Sequence, residues 1–325
     1  MMSRMSRRRF VGSVGVMATA QALSSFAHAQ AFQSRPVKIV VPAAAGGALD
    51  LISRVLAERV ADQFKHGIYV ENRPGANWII GMDAVAKSPP DGHTLLLVST
   101  SGFSINPHLF KNVPPMEEFV PITTATKGAF VILVNPKLGV ESVPDFIKLL
   151  TASPGKYNHA SNSATTKLLS EFFKSQAGVE YADVSYRGAS LAISDTMIGV
   201  TDFCFVDFGS ATNVLQDRSL IALAVTSAER YELNPDIPTL SEAALPGFSV
   251  DGGTVLFAPA RISPEILTQL NATFMNVLRS PEVIARFRTI GQIAKGSPTE
   301  ETLRSLRLEV DRWGNLIREK NITFK

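Results

Sequence analysis

Residues 37–50 read VKIVVPAAAGGALD, and this stretch decides the fold expected of the chain. The β-branched run Val37–Val41 is typical of a strand buried on both faces, and apolar side chains recur at helical spacing from Leu49 to Phe64. The glycines between them allow a tight turn from strand to helix. A buried strand that leads into an amphipathic helix is the first half of a βαβ unit, so a mostly parallel sheet is predicted.

The same alternation of short apolar runs and amphipathic stretches continues along the chain. Further strands are predicted at 69–71, 94–98, 130–134, 183–186, 202–206, 220–225 and 253–258, and further helices at 80–87, 143–151, 166–177, 264–278, 281–289 and 299–320. The first block ends near residue 98 and a second begins near residue 130. We expect the helical tail to pack back on the first lobe. The prediction is therefore an α/β fold of two lobes with a hinge and a cleft between them.

Residues 1–29 read as an export signal rather than as part of the fold. Arg4 and Arg7–Arg9 form a positively charged start, Val11–Ala22 is weakly apolar, and Ala27-His28-Ala29 matches an A-x-A cleavage site. Residues 6–11, SRRRFV, also fit the twin-arginine pattern, so export by the twin-arginine route is predicted. An uncleaved membrane anchor is the alternative, but the apolar run is shorter than the roughly 18 to 20 residues that span a bilayer.

Composition narrows the classes of function. Removal of residues 1–29, which hold four arginines and no acidic residue, lowers the formal charge by four, from +3 to −1. No basic field for a phosphate backbone remains, so no nucleic-acid partner is expected. No cysteine stands at the cleavage site, which leaves a lipid anchor without an attachment point. Cys204 is the single cysteine, so it cannot form an internal disulfide and is interpreted as a buried strand thiol.

Catalytic and metal-binding patterns are poorly represented. His66, His93, His108 and His159 show no H-E-x-x-H or other paired metal-ligand spacing, and the chain has no G-x-S-x-G elbow. We expect no cofactor, no metal site and no catalytic residue. An enzyme on the same fold is the less favoured alternative.

The loop between the first strand and the first helix is the leading candidate for binding an anion. Gly46 and Gly47, with Ala44 in the same loop, would let backbone N–H groups approach a ligand where the helix start carries partial positive charge. The loop lacks the Lys-Ser/Thr ending of a P-loop and the G-x-G-x-x-G spacing, so nucleotide binding is not supported. A tight turn in which Asp50 favours the first helical turn is the alternative.

Further candidates lie where predicted strands end or predicted helices begin, the places where open α/β sheets bind ligands. Each could instead be turn punctuation, an ordinary polar loop or a helix N-cap. These candidates are Asn77, Trp78, Ser101, Ser161, Thr165 and Asp207.

Several motifs in order carry a resemblance: Arg35–Asp50, Glu71–Ala76, Pro90–Leu96, Ser104–Pro107, Tyr186–Gly188, Ala222–Ser227, Pro238–Leu240, Pro246–Phe248 and Leu256–Ala260. Together they resemble the receptors of tripartite tricarboxylate transporters, also called Bug-type solute-binding proteins. The resemblance covers nearly the whole chain after residue 29. It implies a two-lobed, type II-like periplasmic-binding fold in which residues 30–126 and 228–325 form the first lobe and residues 127–227 the second.

The resemblance also implies a ligand and a partner. Family members bind small organic carboxylates through loop backbones and bridging waters, and Asp207 matches an acidic position of the family. This chain departs from the family at Trp78, where a glycine is usual, at Ser161 and Ser163, which replace glycines, and at Gly253, often a tryptophan. The pocket is expected to be reshaped. Trp78 could offer an aromatic face to a flat ligand.

The function predicted is that of a periplasmic receptor that captures a small carboxylate and delivers it to the membrane subunits of a transporter. A ligand-binding sensor for a signalling partner is the alternative, since nothing in the sequence separates the two. Genes for two membrane subunits beside this one would favour transport, and a sensor kinase gene would favour signalling.

Overall fold

A mixed ten-stranded sheet forms the frame of the molecule in the computed structural model, which describes residues 34–319. The predicted export signal lies outside these residues. The strands are β1 Val37–Val41, β2 Ile68–Asn72, β3 Thr94–Ser99, β4 Phe119–Val134, β5 Asn158–Ser161, β6 Ala182–Ser185, β7 Phe203–Asp207, β8 Ile221–Val225, β9 Asp251–Pro259 and β10 Ile293–Ala294. Their order is β2-β1-β3-β9-β4-β7-β5-β6, with β8 and β10 also paired to β4.

Twelve helices within residues 34–319 pack on this sheet or connect its strands. They are α1 Ala48–Val60, α2 Ile79–Ala86, α3 Ser101–Ser104, α4 Asn106–Leu109, α5 Val143–Ala152, α6 Ala164–Ala177, α7 Ala189–Ile198, α8 Phe208–Asp217, α9 Leu240–Ala243, α10 Pro264–Leu278, α11 Pro281–Thr289 and α12 Thr299–Glu319. In this part of the chain, no helix has both the length and the apolar character needed to cross a membrane.

Strand β4 divides the sheet into two halves. Its residues 119–129 pair with β9 and its residues 130–134 pair with β7 and β8. We call β1, β2, β3, β9, β10 and residues 119–129 the first half-sheet, and β5 to β8 with residues 130–134 the second half-sheet. The chain passes from one half to the other along β4 and returns between β8 and β9.

Each half-sheet is covered by apolar side chains on both faces. Ile39 of β1 belongs to one buried cluster with α1 and α10, while the next residue, Val40, belongs to another cluster with Phe103 and Phe257. Burial on both faces explains why β1 carries apolar side chains at every position except Lys38. The second half-sheet has two such clusters of its own.

The closing helix α12 bridges the two halves. Leu306 packs in a core of the first half-sheet, whereas Trp313 and Ile317 pack in a core of the second. Within the helical tail, α10, α11 and the beginning of α12 therefore pack on the first half-sheet, and the end of α12 packs on the second. Residues 231–250, which connect β8 to β9, also place Tyr231 and Phe248 in the cores of the second half-sheet.

Most predicted elements are present, and β1, α10 and α11 have the predicted limits. Three features differ. The sheet is mixed rather than mostly parallel, because β3 and β4 both pair antiparallel with β9, which lies far away in sequence. Residues 119–129 were not predicted as strand, because buried threonines such as Thr123 interrupt the apolar pattern. Helices α7 and α8 were also missed; in α7 the exposed Leu191 and Ile198 blur the helical period.

Candidate ligand-binding site

A cavity of about 320 Å³ is lined by residues of both half-sheets. Ala43 follows β1, Ser99 ends β3, Asn162 follows β5, Gly188 follows β6 and Asp207 ends β7. The cavity therefore lies at the carboxyl ends of parallel strands, which is where open α/β sheets bind ligands.

Five helices begin at this cavity, and the N-cap residue of each lines it. These residues are Gly47 for α1, Trp78 for α2, Ser163 for α6, Gly188 for α7 and Asp207 for α8. A helix start presents unpaired backbone N–H groups and the positive end of the helix dipole. The convergence makes the cavity attractive to an anion.

Three of the five helix starts have no capping side chain. Ser163 accepts from the N–H of Thr166, and Asp207 accepts from the N–H of Ser210. Gly47 and Gly188 have no side chain that could cap, and Trp78 makes no side-chain cap. Because first-turn N–H groups need an acceptor, these three starts can donate to a ligand or to water in the cavity.

Side-chain charge in the cavity is small. Within residues 34–319 its lining holds no lysine, arginine or histidine, and Asp207 is the one acidic residue. An anion bound here is therefore held by backbone and hydroxyl donors rather than by a fixed cation.

The turn before α1 is organised by Asp50. This buried carboxylate accepts from the Gly46 N–H at 2.8 Å, from Arg54 Nε at 2.9 Å and from Asn72 Nδ2 at 3.0 Å. Burial alone would raise the pKa of Asp50, but these hydrogen bonds hold it below its usual value. The Gly46 N–H is thus already used within the turn. Gly47 lines the cavity, whereas Ala44 and Gly46 are not among its lining residues.

Trp78 lines the cavity and Asn77, the residue before it, does not. The Asn77 carbonyl instead accepts a hydrogen bond of 2.7 Å from Asn106 Nδ2. The sequence pattern placed both residues at the start of a helix, and the structure brings only Trp78 into the lining.

Ser101 lies in the lining beside Ser99, with 3.0 Å between their hydroxyl oxygens. Ser101 is buried in the first turn of α3. At the end of the same turn, the Ser104 hydroxyl donates to Glu309 of α12 at 2.9 Å. The turn that carries Ser101 is therefore tied to the last helix.

The predicted pair Ser161 and Thr165 is separated by the structure. Thr165 lines the cavity, but Ser161 is buried beneath it and donates to Asp183 at 3.0 Å. The same carboxylate contacts His159 Nδ1 at 2.8 Å, and the Phe205 N–H donates to Nε2 of that ring. Burial lowers the pKa of His159, so the ring is neutral at pH 7. These contacts fix the end of β5.

Asp207 lines the cavity and also caps α8. One carboxylate oxygen accepts from the Ser210 N–H at 3.0 Å and the other from the Ser210 hydroxyl at 2.6 Å. A carboxylate has about four acceptor positions, so Asp207 can accept from a further donor in the cavity.

Several lining residues were not singled out from the sequence. They are Leu49 and Ile52 on α1, Phe130 on β4, Gly252 on β9 and Gln292 before β10, whereas Gly253 on β9 was noted from the sequence only as a departure from the family. Phe130 and Gly253 begin elements that were predicted, but only the pairing of β4 with β7 and β9 brings them here. No motif or periodicity in the sequence around Gln292 marks it as a binding residue.

A second cavity, of about 370 Å³, lies between α12 and strands β4 and β9. It shares Gly252 and Gly253 with the first cavity but is lined by charged side chains, including Lys127, Arg312 and Glu309. Burial raises the pKa of Glu309 to about 7. No N-cap residue of the five helices lines it, so the smaller cavity is the stronger candidate for an anion site.

Neither cysteine chemistry nor metal chemistry is indicated in residues 34–319. Cys204 is buried in β7, and burial raises the pKa of its thiol to about 12. In this range no group of three or more His, Cys, Asp or Glu side chains could hold a metal ion.

An α/β sheet in two halves, with an anion-attracting cavity shared by both, defines the class of solute-binding proteins. A sequence profile of the tripartite tricarboxylate transporter family receptor matches residues 52–322, and the chain belongs to this family. The family and the fold expected from the sequence are thereby confirmed.

Relatives cover almost the whole chain. The UPF0065 protein in the tcbD-tcbE intergenic region of Pseudomonas sp. (strain P51) is 32% identical over 323 residues, which cover 98% of this chain and 96% of that protein. A solved structure described as a periplasmic transporter is 28% identical with a TM-score of 0.81, covering 89% of this chain and 98% of its own. The R. palustris protein Rpa4515, solved with adipate, is 27% identical with a TM-score of 0.82 and the same coverage.

Family membership establishes the class of protein to which the chain belongs and whether it is an enzyme. It is a periplasmic solute-binding receptor, as predicted, and it is not an enzyme.

Proposed function

We propose that this receptor captures a small organic carboxylate in the cavity at the helix starts and delivers it to the membrane subunits of a tripartite tricarboxylate-type transporter. The convergence of five helix N-caps on one cavity, without a lysine, arginine or histidine in its described lining, is the observation that carries the proposal. Backbone donors at helix starts suit a carboxylate, because they supply several N–H groups and a partial positive charge. The relative solved with adipate supports the same class of ligand.

The residues proposed to bind the ligand are those predicted from the sequence. Gly47, Trp78, Ser101, Thr165 and Asp207 have direct access to the cavity. The other predicted residues, Ala44, Gly46, Asn77 and Ser161, would act through the backbone, through water or by holding their neighbours in position.

Ligand capture is proposed to close two lobes. Residues 30–126 and 228–325 would form one lobe and residues 127–227 the other, with the hinge where β4 passes between half-sheets. Lining residues come from both sides, Gly47 and Ser101 from one and Thr165 and Asp207 from the other. A ligand that contacts both sides stabilises the closed form, and closure changes the surface offered to a membrane partner.

A thermal-shift screen tests the proposed ligand class. Protein lacking residues 1–29 is mixed with adipate, malate, citrate and benzoate, and with adipamide as the neutral counterpart of adipate. A ligand at about 100 times its Kd stabilises the folded state by about 2.7 kcal/mol and raises Tm by several degrees. We expect carboxylates alone to do this; shifts confined to amines, amides or sugars would contradict the proposal.

A cavity-filling variant tests the location. A Cβ built on Gly188 meets no atom within 4 Å, and the extended backbone there accepts any residue. Gly188→Leu should therefore fold while occupying the cavity, and it should abolish the carboxylate shift. Ser190→Leu, two residues further along at an exposed position outside the lining, is the matched control and should bind as the parent does.

The transporter partner requires a separate test. The receptor is added to vesicles that contain the two membrane subunits, and uptake of the carboxylate found in the screen is measured. Uptake that does not depend on the receptor would refute the proposed partner while leaving the ligand class intact.

A further inference from the structure

Four consecutive residues before α2 have positive φ. The values are 131° for Gly75, 46° for Ala76, 50° for Asn77 and 77° for Trp78. Only the first is a glycine. A left-handed conformation costs an L-residue roughly 1 to 2 kcal/mol, so a run of three persists only where surrounding contacts impose it. Such strain concentrates at functional sites.

Asn106 contacts this turn through its side chain. Its side chain is buried, and its Nδ2 donates to the Asn77 carbonyl at 2.7 Å. The indole of Trp78 packs against α3. A Cβ built on Gly102 of that helix would be 3.6 Å from Trp78 Cε3. The ring is partly buried between two apolar cores, and its remaining surface lines the cavity.

A second aromatic ring lines the same cavity. Phe130 is the register partner of Asp207 on neighbouring strands, and a Cβ built on Gly252 would be 3.4 Å from its Cε2 atom. Leu49 and Ile52 of α1 complete an apolar part of the lining. The helix starts offer polar contacts for a carboxylate, whereas the rest of the ligand meets two rings and aliphatic groups.

From this arrangement we propose that the cavity selects carboxylates with a flat, apolar body, that Trp78 is the specificity-determining residue, and that Asn106 is its positioning residue. The inference rests on the proposed function and narrows its ligand class. A planar ring can stack or meet edge to face with an aromatic side chain, which contributes about 0.5 to 1.5 kcal/mol beyond simple area burial. That difference corresponds to about 2- to 12-fold in affinity.

Two probes of equal ring size isolate flatness. Benzoate and cyclohexanecarboxylate carry the same carboxylate on a six-carbon ring, but only the first is planar. Their Kd values are measured by calorimetry on protein lacking residues 1–29. We expect benzoate to bind about 3- to 10-fold more tightly. Trp78→Phe should keep most of this ratio, and Trp78→Leu, which keeps apolar bulk without a ring, should lower it and leave only the part that Phe130 supplies.

The role of Asn106 has its own matched control. Asn106→Asp keeps the size of the side chain but removes the donor to the Asn77 carbonyl, so the affinity ratio should fall although Trp78 is present. Asn271→Asp removes donors of the same kind, from Nδ2 to the carbonyls of Ile122 and Ser297, away from the cavity. It should lower stability and leave the ratio unchanged.

The outcomes separate this inference from the proposed function. Binding of adipate with no preference for benzoate over cyclohexanecarboxylate, or with neither ring bound, would overturn the inference and leave carboxylate capture standing. A benzoate preference that is undiminished in folded Trp78→Leu would also overturn it. Failure to bind any carboxylate would overturn both.

Discussion

The contact between Gly209 and Gly291 gives the sharpest test of the packing around the cavity. Gly209 lies in the first turn of α8, two residues after Asp207, and Gly291 precedes the lining residue Gln292. A Cβ built on Gly209 would lie 2.5 Å from the Ile290 carbonyl oxygen, and one built on Gly291 would lie 2.5 Å from Gly209 Cα. Both neighbours are backbone atoms, which cannot rotate away.

The expected effect of Gly209→Ala follows from two opposing contributions. Alanine in a helix is favoured over glycine by up to about 1 kcal/mol. Real Cβ contacts almost never fall below 3.0 Å, so the two backbones would have to separate by about 0.5 Å, the difference between 3.0 and 2.5 Å. Overpacking of this kind costs about 1 to 3 kcal/mol. With the full helical gain set against this cost, we expect the free energy of unfolding to fall by up to about 2 kcal/mol, with weaker ligand binding because Asp207 and Gln292 shift.

Gly314→Ala in α12 is the matched control. It makes the same change within a helix, but the nearest atoms, at 3.1 and 3.2 Å, belong to the exposed side chain of His108, which can move. Its stability should be unchanged or higher by up to about 1 kcal/mol. Both free energies are obtained from urea unfolding followed by circular dichroism. If Gly209→Ala proved as stable as Gly314→Ala, the close approach of α8 to residues 290–292 would be refuted.

Three further predictions concern charged groups. The pKa of Glu309, about 7 in the fold against a usual value of 4.5, means that the folded state binds its proton more tightly. The free energy of unfolding should therefore fall by about 2 to 3 kcal/mol as the pH rises from the usual pKa of 4.5 to above about 7. Glu309→Gln should remove this fall in urea titrations at pH 5 and 8; an unchanged pH profile would contradict it. Asp207→Asn keeps an N-cap and removes a negative charge; because ionised adipate has no donor for Asp207 to accept from, calorimetry should show adipate binding unchanged or up to about fivefold tighter, whereas malate, whose hydroxyl can donate to Asp207, should bind more weakly, and the opposite pattern would contradict the proposed role of Asp207. Asp50→Ala leaves the Gly46 N–H, Asn72 and Arg54 without the carboxylate that accepts from them. The free energy of unfolding, measured by thermal unfolding, should therefore fall by about 2 to 3 kcal/mol. An unchanged free energy would refute the role of Asp50 in the turn.

Local sequence predicted those parts of the site that belong to a strand end or a helix start. Gly47 and Trp78 were identified because a turn and a helix start are encoded by residues that lie close together in the sequence. Ser161 shows the limit of this reasoning: its polar run was recognised, but in the strand its side chain is buried against Asp183, while Thr165, in the first turn of α6, reaches the lining.

Gln292 and Asn106 show what local patterns could not supply. Gln292 reaches the lining because β10 pairs with β4, more than 160 residues earlier in the chain. Asn106 holds the Asn77 carbonyl across 29 residues. Neither contact can be recognised from a periodicity or a motif in the sequence, because each contact depends on how whole helices and strands pack together.

By itself, the amino-acid sequence determined the alternation of strands and helices, the class of fold and the absence of a basic field, because these follow from periodicity, turn chemistry and composition within short stretches; the family was indicated by the resemblance of its motifs. Tertiary structure alone decided that five helix starts meet at one cavity, that β4 and α12 join the two half-sheets, and that Asp50 uses the donor of Gly46. The physical reason is that a helix dipole or a buried hydrogen bond acts on whatever lies next to it in space, and only packing determines that neighbour.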